Sequence, residues 1–562
     1  MSSGHHELTF TQKYIFSQDH KVIGTQYLTV GLIMAAIGGF LAYVFRYNLA
    51  FPGEPIPLFG ELSPLEYNAF VTQHGAIMIF WVAMPILVAA SGNYLIPLML
   101  GTDDMAFPFL NMLSFWIFLL SAIVLLLAFV TPTGAAASGW TLYPPLSADA
   151  YVNKEPDFLT ALFSGGTLII LALALEFASM LMGGINFVVT TFNKRAKGMK
   201  IWDMPIYIWF INLATIDFMF SVGPIIAGAF MLLMDRTVGT GFFDAYRGGD
   251  PILFQHMFWF FGHPEVYVLL FPSMGLVAEV ISNFSRKALF GYKFMIKLSI
   301  FAVVLSVIVW AHHQFIAGID PTMATFFSIG TIIISIPFAG VILSFFATLW
   351  GGNIKLELPM LWAIGFLALF LIGGLTGLYL GSDAFDIYAH DTYFVIAHFH
   401  YTLFPITFFG LFTGFYYWFP KFSGKMLSNT LGKLHFWLTF IFFSGVFFPL
   451  FFTGLLGQHR RINDYSAFDS LMTQDFQDTR IFATMCLIGL IGSQFIFLYN
   501  FINSLFNGAK AGRNPWESPT LEWQTVSPPP HGNFKVFPTV YRDAYDYESA
   551  RDGKDFIPQN VQ

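Results

Sequence analysis

Apolar runs of about 20 or more residues recur almost from one end of this chain to the other, and a run of that length matches the hydrocarbon thickness of a bilayer. The solvent is thereby fixed before any fold is considered. In hydrocarbon every backbone N–H and C=O must find its partner within the protein, which leaves helices and closed barrels. The runs show no sustained period-two alternation, so they read as helices. Windows of about 20 residues place spans near 23–47, 68–100, 107–130, 158–191, 203–234, 252–281, 293–316, 321–350, 357–380, 392–419, 433–456 and 480–507. The expected fold is an all-α integral membrane bundle of about twelve transmembrane helices. A polar N-terminal segment, 1–22, precedes one membrane domain, 23–507, and a polar tail, 508–562, follows it. Composition agrees: 11% of the 562 residues are charged, against roughly 25% in a soluble domain.

Basic residues cluster after the even-numbered spans: Lys194, Arg195, Lys197 and Lys200; Arg286, Lys287 and Lys293; Lys421 and Lys425; Lys510 and Arg513. The positive-inside rule then places both termini on the cytoplasmic side of what reads as a bacterial cytoplasmic membrane. The acidic loops Asp383 to Asp391 and Asp464 to Asp478 fall outside, and the tail after Asn514 is expected to lie over the inner surface. Residues 1–21 lack the apolar core of a cleavable signal peptide. A net charge of -7 with no basic stripe argues against nucleic acid as a partner. The single cysteine, Cys486, excludes an intrachain disulfide and any thiolate cluster, so a bound metal must rest mainly on histidine.

Six histidines do lie inside the apolar runs: His74, His263, His312, His313, His398 and His400. An ionisable ring at membrane depth is costly, which makes each a candidate functional residue. His398 and His400 are two positions apart, about 200° around an α-helix, and point to opposite flanks. They cannot chelate one ion together, but they can serve two adjacent centres such as two hemes; the bland alternative is one ring facing a polar neighbour. His263 and Tyr267 stand at i and i+4 on one helix face, beside the Pro264 kink, while Glu265 points away, either to deliver protons or as a paired structural carboxyl. His312 and His313 are about 100° apart on an α-helix and join His263 in a three-imidazole site that suits copper, zinc or iron. His74 alone reads as a packing residue; it gains weight as a partner for His400 at a six-coordinate iron.

With these motifs in place, the chain resembles subunit I of the heme–copper oxidases, in the aa3-type cytochrome c oxidase branch. The likeness runs through Asp19-His20-Lys21, Thr72-Gln73-His74-Gly75, Asp104 to Pro108, Gly139 to Pro145, Gly262 to Tyr267, Ala311-His312-His313, His390 to Tyr401, Arg460-Arg461 and Asn514-Pro515-Trp516. It implies that His74 and His400 are axial ligands of a low-spin heme and that His398 binds a high-spin heme. His263, His312 and His313 would hold CuB, with Tyr267 cross-linked to His263. Arg460 and Arg461 match the pair that binds heme propionates, Arg46 an arginine near a formyl group of heme A, and His390 with Asp391 a magnesium site. Asp104, Asn93, Asn111 and Glu265 match the D-pathway for protons. The implied reaction reduces O2 to water with electrons from cytochrome c or a heme c domain. Subunit II carrying CuA, subunit III and the lipid bilayer would be its partners.

Two positions depart from the pattern. Val341 stands where the family's K-pathway has its lysine and Phe338 where it has a threonine, and no lysine occurs in that span. Ser335, Ser344 and Thr348 are polar but scattered, so either most protons enter through Asp104, or water or another subunit completes a variant route. A quinol oxidase would carry His and Gln where this chain has Glu66 and Ala69. A nitric oxide reductase is not expected to have Tyr267 in this motif. A proton-coupled transporter of about twelve helices, the rival from another class, has no need of both the adjacent and the split histidine pairs.

Overall fold

The computed structural model describes residues 9–148, 158–547 and 554–562. Among them, 11 helices are long and apolar enough to cross a membrane. In chain order the bundle comprises α1 (His20–Ala50), α2 (Pro64–Leu100), α3 (Pro108–Val130), α4 (Gly165–Asn193), α5 (Ile206–Val238), α6 (Pro251–Ser285), α7 (Tyr292–Ser306), α8 (Pro321–Leu349), α9 (Leu358–Leu380), α10 (Tyr393–Ser423), α11 (Asn429–Leu455) and α12 (Gln474–Asn507). Extended pairing in the described residues is limited to isolated bridges.

The seventh apolar segment, 293–316, is where expectation and structure part. It is a 15-residue α-helix, α7, followed by a turn and a short 3-10 helix, Trp310–Gln314. Val303, Val304, Val307, Ile308 and Val309 crowd this stretch with β-branched side chains, which lower helix propensity. His312 and His313 therefore sit on 3-10 backbone, about 120° apart and not about 100°.

Helix starts follow local chemistry. Asp19, Asp250, Asp320 and Thr392 each accept a hydrogen bond from the backbone N–H two residues on, and Ser63 forms a capping box with Glu66. Prolines at the first helical position of α2, α3, α6 and α8 lose no intrahelical bond there.

The bundle is organised around α6. Its apolar window is 94% buried in protein, against 28% for α1, so residues on α6 meet side chains on all sides while α1 faces lipid. α5 lies along α6, α3 along α4, α10 along both α9 and α11, and α11 along α12. The prolines within α6, Pro264 and Pro272, each remove a backbone donor, which leaves the carbonyl of Phe260 without its helical partner beside His263.

The N-terminus, the loop after α2 and the tail meet on one face. Asn533 of the tail donates to the carbonyls of Thr102 (2.8 Å) and Asp103 (3.0 Å) and accepts from Lys21 Nζ (2.9 Å). Nearby, Tyr545 donates to Glu279 (2.8 Å), and Lys421 donates to the Thr525 carbonyl (2.8 Å).

Candidate functional site

His263 on α6 and the 3-10 pair His312 and His313 converge, with their donor nitrogens all within 4.8 Å of one another. His263 Nδ1 lies 3.1 Å from His312 Nε2, and His263 Nε2 lies 2.8 Å from the Tyr267 hydroxyl. Nitrogens bound at about 2.0 Å to one tetrahedral or trigonal ion stand roughly 3.3–3.5 Å apart, close to the 3.1 Å between His263 and His312. The protonation pattern fits too. Thr331 Oγ1 donates its only hydrogen to the Phe327 carbonyl (2.6 Å), so it accepts from His312 Nδ1 (2.8 Å) and leaves the Nε2 lone pair directed at His263. His313 stacks on Trp259 with ring centroids 3.7 Å apart, and its buried Nε2 has no hydrogen-bond partner. Trp259 in turn donates through its indole N–H to the Tyr143 hydroxyl.

The other three histidines share one device. His74 Nδ1 meets the Gly38 carbonyl (2.8 Å), His398 Nδ1 the Gly373 carbonyl (3.0 Å) and His400 Nδ1 the Ile396 carbonyl (2.8 Å). A carbonyl can only accept, so each ring carries its proton on Nδ1 and presents a bare Nε2, the form that ligates a metal. The flanks of α10 differ as the spacing requires. His398 turns toward α9, against Gly373, Thr376 and Gly377; His400 turns toward α11 and stacks on Phe447 at 3.9 Å. Bulk is excluded on the α9 side: a Cβ on Gly373 would lie 2.5 Å from the Tyr401 carbonyl oxygen, and one on Gly377 would lie 3.0 Å from the His398 ring. His74 and Arg46 both lie within electrostatic reach of His400, and Arg46 is buried with Nε and Nη2 unpartnered. Three bare imidazole nitrogens and an arginine with unspent donors fit heme ligation and recognition of a polar heme substituent.

Arg460 and Arg461 sit in the loop between α11 and α12. Arg460 is engaged with Asp391 through Nε (2.8 Å) and Nη2 (2.6 Å). Arg461 lies over Gly139, and burial, with the charge of Arg460, holds its pKa down at about 10. His390 pairs with Asp386 (2.8 Å), so the two residues expected at a magnesium site, His390 and Asp391, each face a different partner. Among the described residues only the His263, His312 and His313 group brings three such donors together.

On the opposite face Asp104 lies in the loop between α2 and α3, where burial raises its pKa while His20 opposes the rise. Inward of it, Asn93 Oδ1 and both side-chain polar atoms of Asn111 are buried without partners, as expected of groups that bind water. The hydroxyl of Tyr27 then touches Ser114 Oγ and Ser179 Oγ, each at 3.0 Å. Glu265 follows, with both carboxyl oxygens unpartnered and with the acids Glu176 and Asp217 as its neighbours. Sequence reading passed over Tyr27, Ser114, Ser179, Glu176 and Asp217. The two carboxyls did carry a signal, since acids inside apolar runs are as anomalous as the histidines.

The α8 side of Tyr267 is apolar. Phe338 stacks on Tyr267 at 4.7 Å, and Val341 is buried one turn further along α8. Ser335, Ser344 and Thr348 donate to carbonyls of their own helix, at Ile332, Gly340 and Ser344 respectively.

The pattern described as cytochrome c and quinol oxidase polypeptide I matches residues 22–492 of the chain. The alternative cytochrome c oxidase subunit 1 of Bradyrhizobium diazoefficiens is 40% identical over 570 residues, covering 99% of this chain and 94% of that one. Cytochrome c oxidase subunit 1 of Synechocystis sp. is 43% identical over 548 residues, covering 97% and 95%. A chain from the cryo-EM structure of a heme–copper terminal oxidase dimer aligns with a TM-score of 0.70 over 88% of this chain and 85% of that chain. At 18% identity, that last likeness is one of fold.

Proposed function

Because the chain belongs to the cytochrome c and quinol oxidase polypeptide I family, we propose that it is the catalytic subunit of a respiratory terminal oxidase, reducing O2 to water with electrons ultimately from cytochrome c and pumping protons. The observation that carries this reading is the convergence of His263, His312 and His313 beside Tyr267. Those three residues would hold CuB, His398 the high-spin heme, and His74 with His400 the low-spin heme, with heme A favoured by Arg46. When bound, these groups supply the electrons and the oxygen-binding site.

The chain's own residues do the rest. Thr331 and the Gly38, Gly373 and Ile396 carbonyls fix the imidazole tautomers, leaving Nε2 bare to ligate a metal. Tyr267 holds its hydroxyl against His263, placed to give up a proton at the metal face. Arg460 and Arg461 offer guanidinium forks to heme propionates, and His390 with Asp391 would bind magnesium alongside a neighbouring subunit. Asp104, Asn93, Asn111 and Glu265 conduct protons inward.

One cysteine cannot build a dinuclear copper site, so a second subunit carrying CuA receives the electrons, from cytochrome c or a fused heme c domain, and a third subunit completes the core. The complex lies in the bacterial cytoplasmic membrane with both termini inside. A pyridine-hemochrome spectrum with copper analysis on the purified complex tests the reading, together with O2 consumption on reduced cytochrome c and on quinol. Two hemes, one copper and turnover on cytochrome c are expected. Turnover on quinol alone would make it a quinol oxidase, and absence of a Soret band would leave a non-redox transporter.

A further inference from the structure

Three carboxyls without a counter-charge lie together in the core of the bundle: Glu176 on α4, Asp217 on α5 and Glu265 on α6. Glu176 and Asp217 are fully buried and Glu265 is 3% exposed. Five of their six oxygens have no partner: both of Glu176, both of Glu265 and Oδ2 of Asp217. No lysine or arginine acts on Glu176 or Asp217. An ionised carboxylate so placed would cost several kcal/mol, so Glu176 and Asp217 rest as neutral acids. An acid held neutral in a membrane core, with lone pairs free for water, is suited to carrying protons.

Their order follows from their neighbours. Glu176 lies near Tyr27, and Ser179, one turn along α4, bonds that tyrosine's hydroxyl, so Glu176 stands at the inner end of the line that begins at Asp104. Glu265 is within the field of both other acids. Asp217 is the acid that acts on Tyr267. Its Oδ1 lies 2.8 Å from Ser306 Oγ, and that hydroxyl also reaches the Val303 carbonyl at 2.7 Å. Ser306 has one hydrogen and two acceptors. It can donate to Val303 while Asp217 is neutral and turn to Asp217 when the acid has lost its proton.

The need for such a group comes from α8, which carries no acid or lysine on this side: apolar Phe338 stacks on Tyr267 and Val341 is buried one turn further along. Building on the oxidase reading above, we propose that Glu176 and Asp217 are proton carriers, Glu176 receiving protons from the Tyr27 and Ser179 end and Asp217 delivering them to the His263 and Tyr267 face. Asp217 thereby does from α5 what a lysine on α8 would do. Each transfer moves one proton: Asp217 gives its proton to the Tyr267 face and is left as the carboxylate, Ser306 turns to it, and a proton from the line restores the acid. No electron moves in this step.

The test uses the whole complex in liposomes, with Glu176→Gln, Asp217→Asn, Asp217→Glu and Ser306→Ala variants. Infrared spectra in H2O and D2O should show protonated-carboxyl C=O bands in the wild type, one lost in Glu176→Gln and a different one in Asp217→Asn. With heme and copper contents unchanged, Asp217→Asn should slow O2 consumption at least tenfold, Asp217→Glu should restore most of it, and Ser306→Ala should slow it less. Should Asp217→Asn fail to assemble, Glu176→Gln and Ser306→Ala carry the same readouts. Unchanged acid bands, or turnover within twofold of wild type in Asp217→Asn or, in its absence, Glu176→Gln, would overturn the proposal. A wild type without hemes would instead overturn the oxidase reading, and the infrared bands would still report on the acids.

Discussion

Thr331→Val removes the hydroxyl that accepts from His312, together with its bond to the Phe327 carbonyl of its own helix, and leaves the packing almost unchanged. The valine keeps the branched shape, including the Cγ2 that packs where Gly381 leaves room; a Cβ on that glycine would lie 2.7 Å from it. What is lost is the oxygen that accepts from His312 Nδ1 at 2.8 Å. The ring is then free to turn, and its buried N–H is left unpaired at a cost of about 1–3 kcal/mol. Losing the outer partner of a metal-ligating histidine weakens metal binding by roughly 10–100-fold, which corresponds to about 1.4–2.8 kcal/mol. The assay is copper per heme after the purified complex is equilibrated against a graded series of chelator strengths. Half-release should shift to a roughly 10–100-fold weaker chelating condition in Thr331→Val. Thr331→Ser, which retains the acceptor, should stay near wild type. If the Thr331→Val release curve lies on the wild-type curve, Thr331 does not set the His312 tautomer and the reading of this ring is wrong.

Other consequences can be checked separately. Asp104→Asn should abolish both O2 consumption and proton pumping in vesicles, because α8 carries no lysine to serve a second route; near-normal turnover would show that protons enter elsewhere. Glu522, buried in the tail and bonded to Thr520 (2.7 Å), has its pKa pushed up to about 7 by burial, above its ordinary 4.5. The sign follows: with the folded pKa raised, its favourable contribution is complete below 4.5 and is lost as pH rises through about 7. Glu522→Gln should therefore gain in melting temperature relative to wild type between pH 5 and pH 8, and a constant difference across that range would count against it. Asn533→Ala removes bonds to Thr102, Asp103 and Lys21 and should destabilise the tail by about 1 kcal/mol for each, read as a lower melting temperature and faster proteolysis of the tail. Wild-type protease resistance in that variant would mean the tail is held elsewhere.

Much of the fold was legible because bilayer thickness imposes a length and hydrocarbon imposes a helix, and both are local properties of the chain. The segment that resisted was 293–316, apolar enough to span but broken after Ser306, where β-branched residues and the bond to Asp217 outweigh hydropathy. Candidate site residues were legible where the anomaly was local: six histidines in apolar runs, the opposite-facing pair on α10, and Tyr267 one turn from His263. The supporting groups were not. Thr331 is an ordinary threonine until α8 places it against His312, and Tyr27 is one of 23 tyrosines until α3 and α4 bring Ser114 and Ser179 to its hydroxyl.

The sequence alone thus determined the solvent, the helical class and the six rings whose cost in a membrane demands a use, since each depends only on residue type and spacing along one segment. Tertiary structure alone decided which nitrogen each ring leaves bare, which acids lie beside Glu265, and that Phe338 stacks on Tyr267 from α8. Those facts depend on distances between residues tens to hundreds of positions apart, and helix packing, not helix propensity, sets such distances.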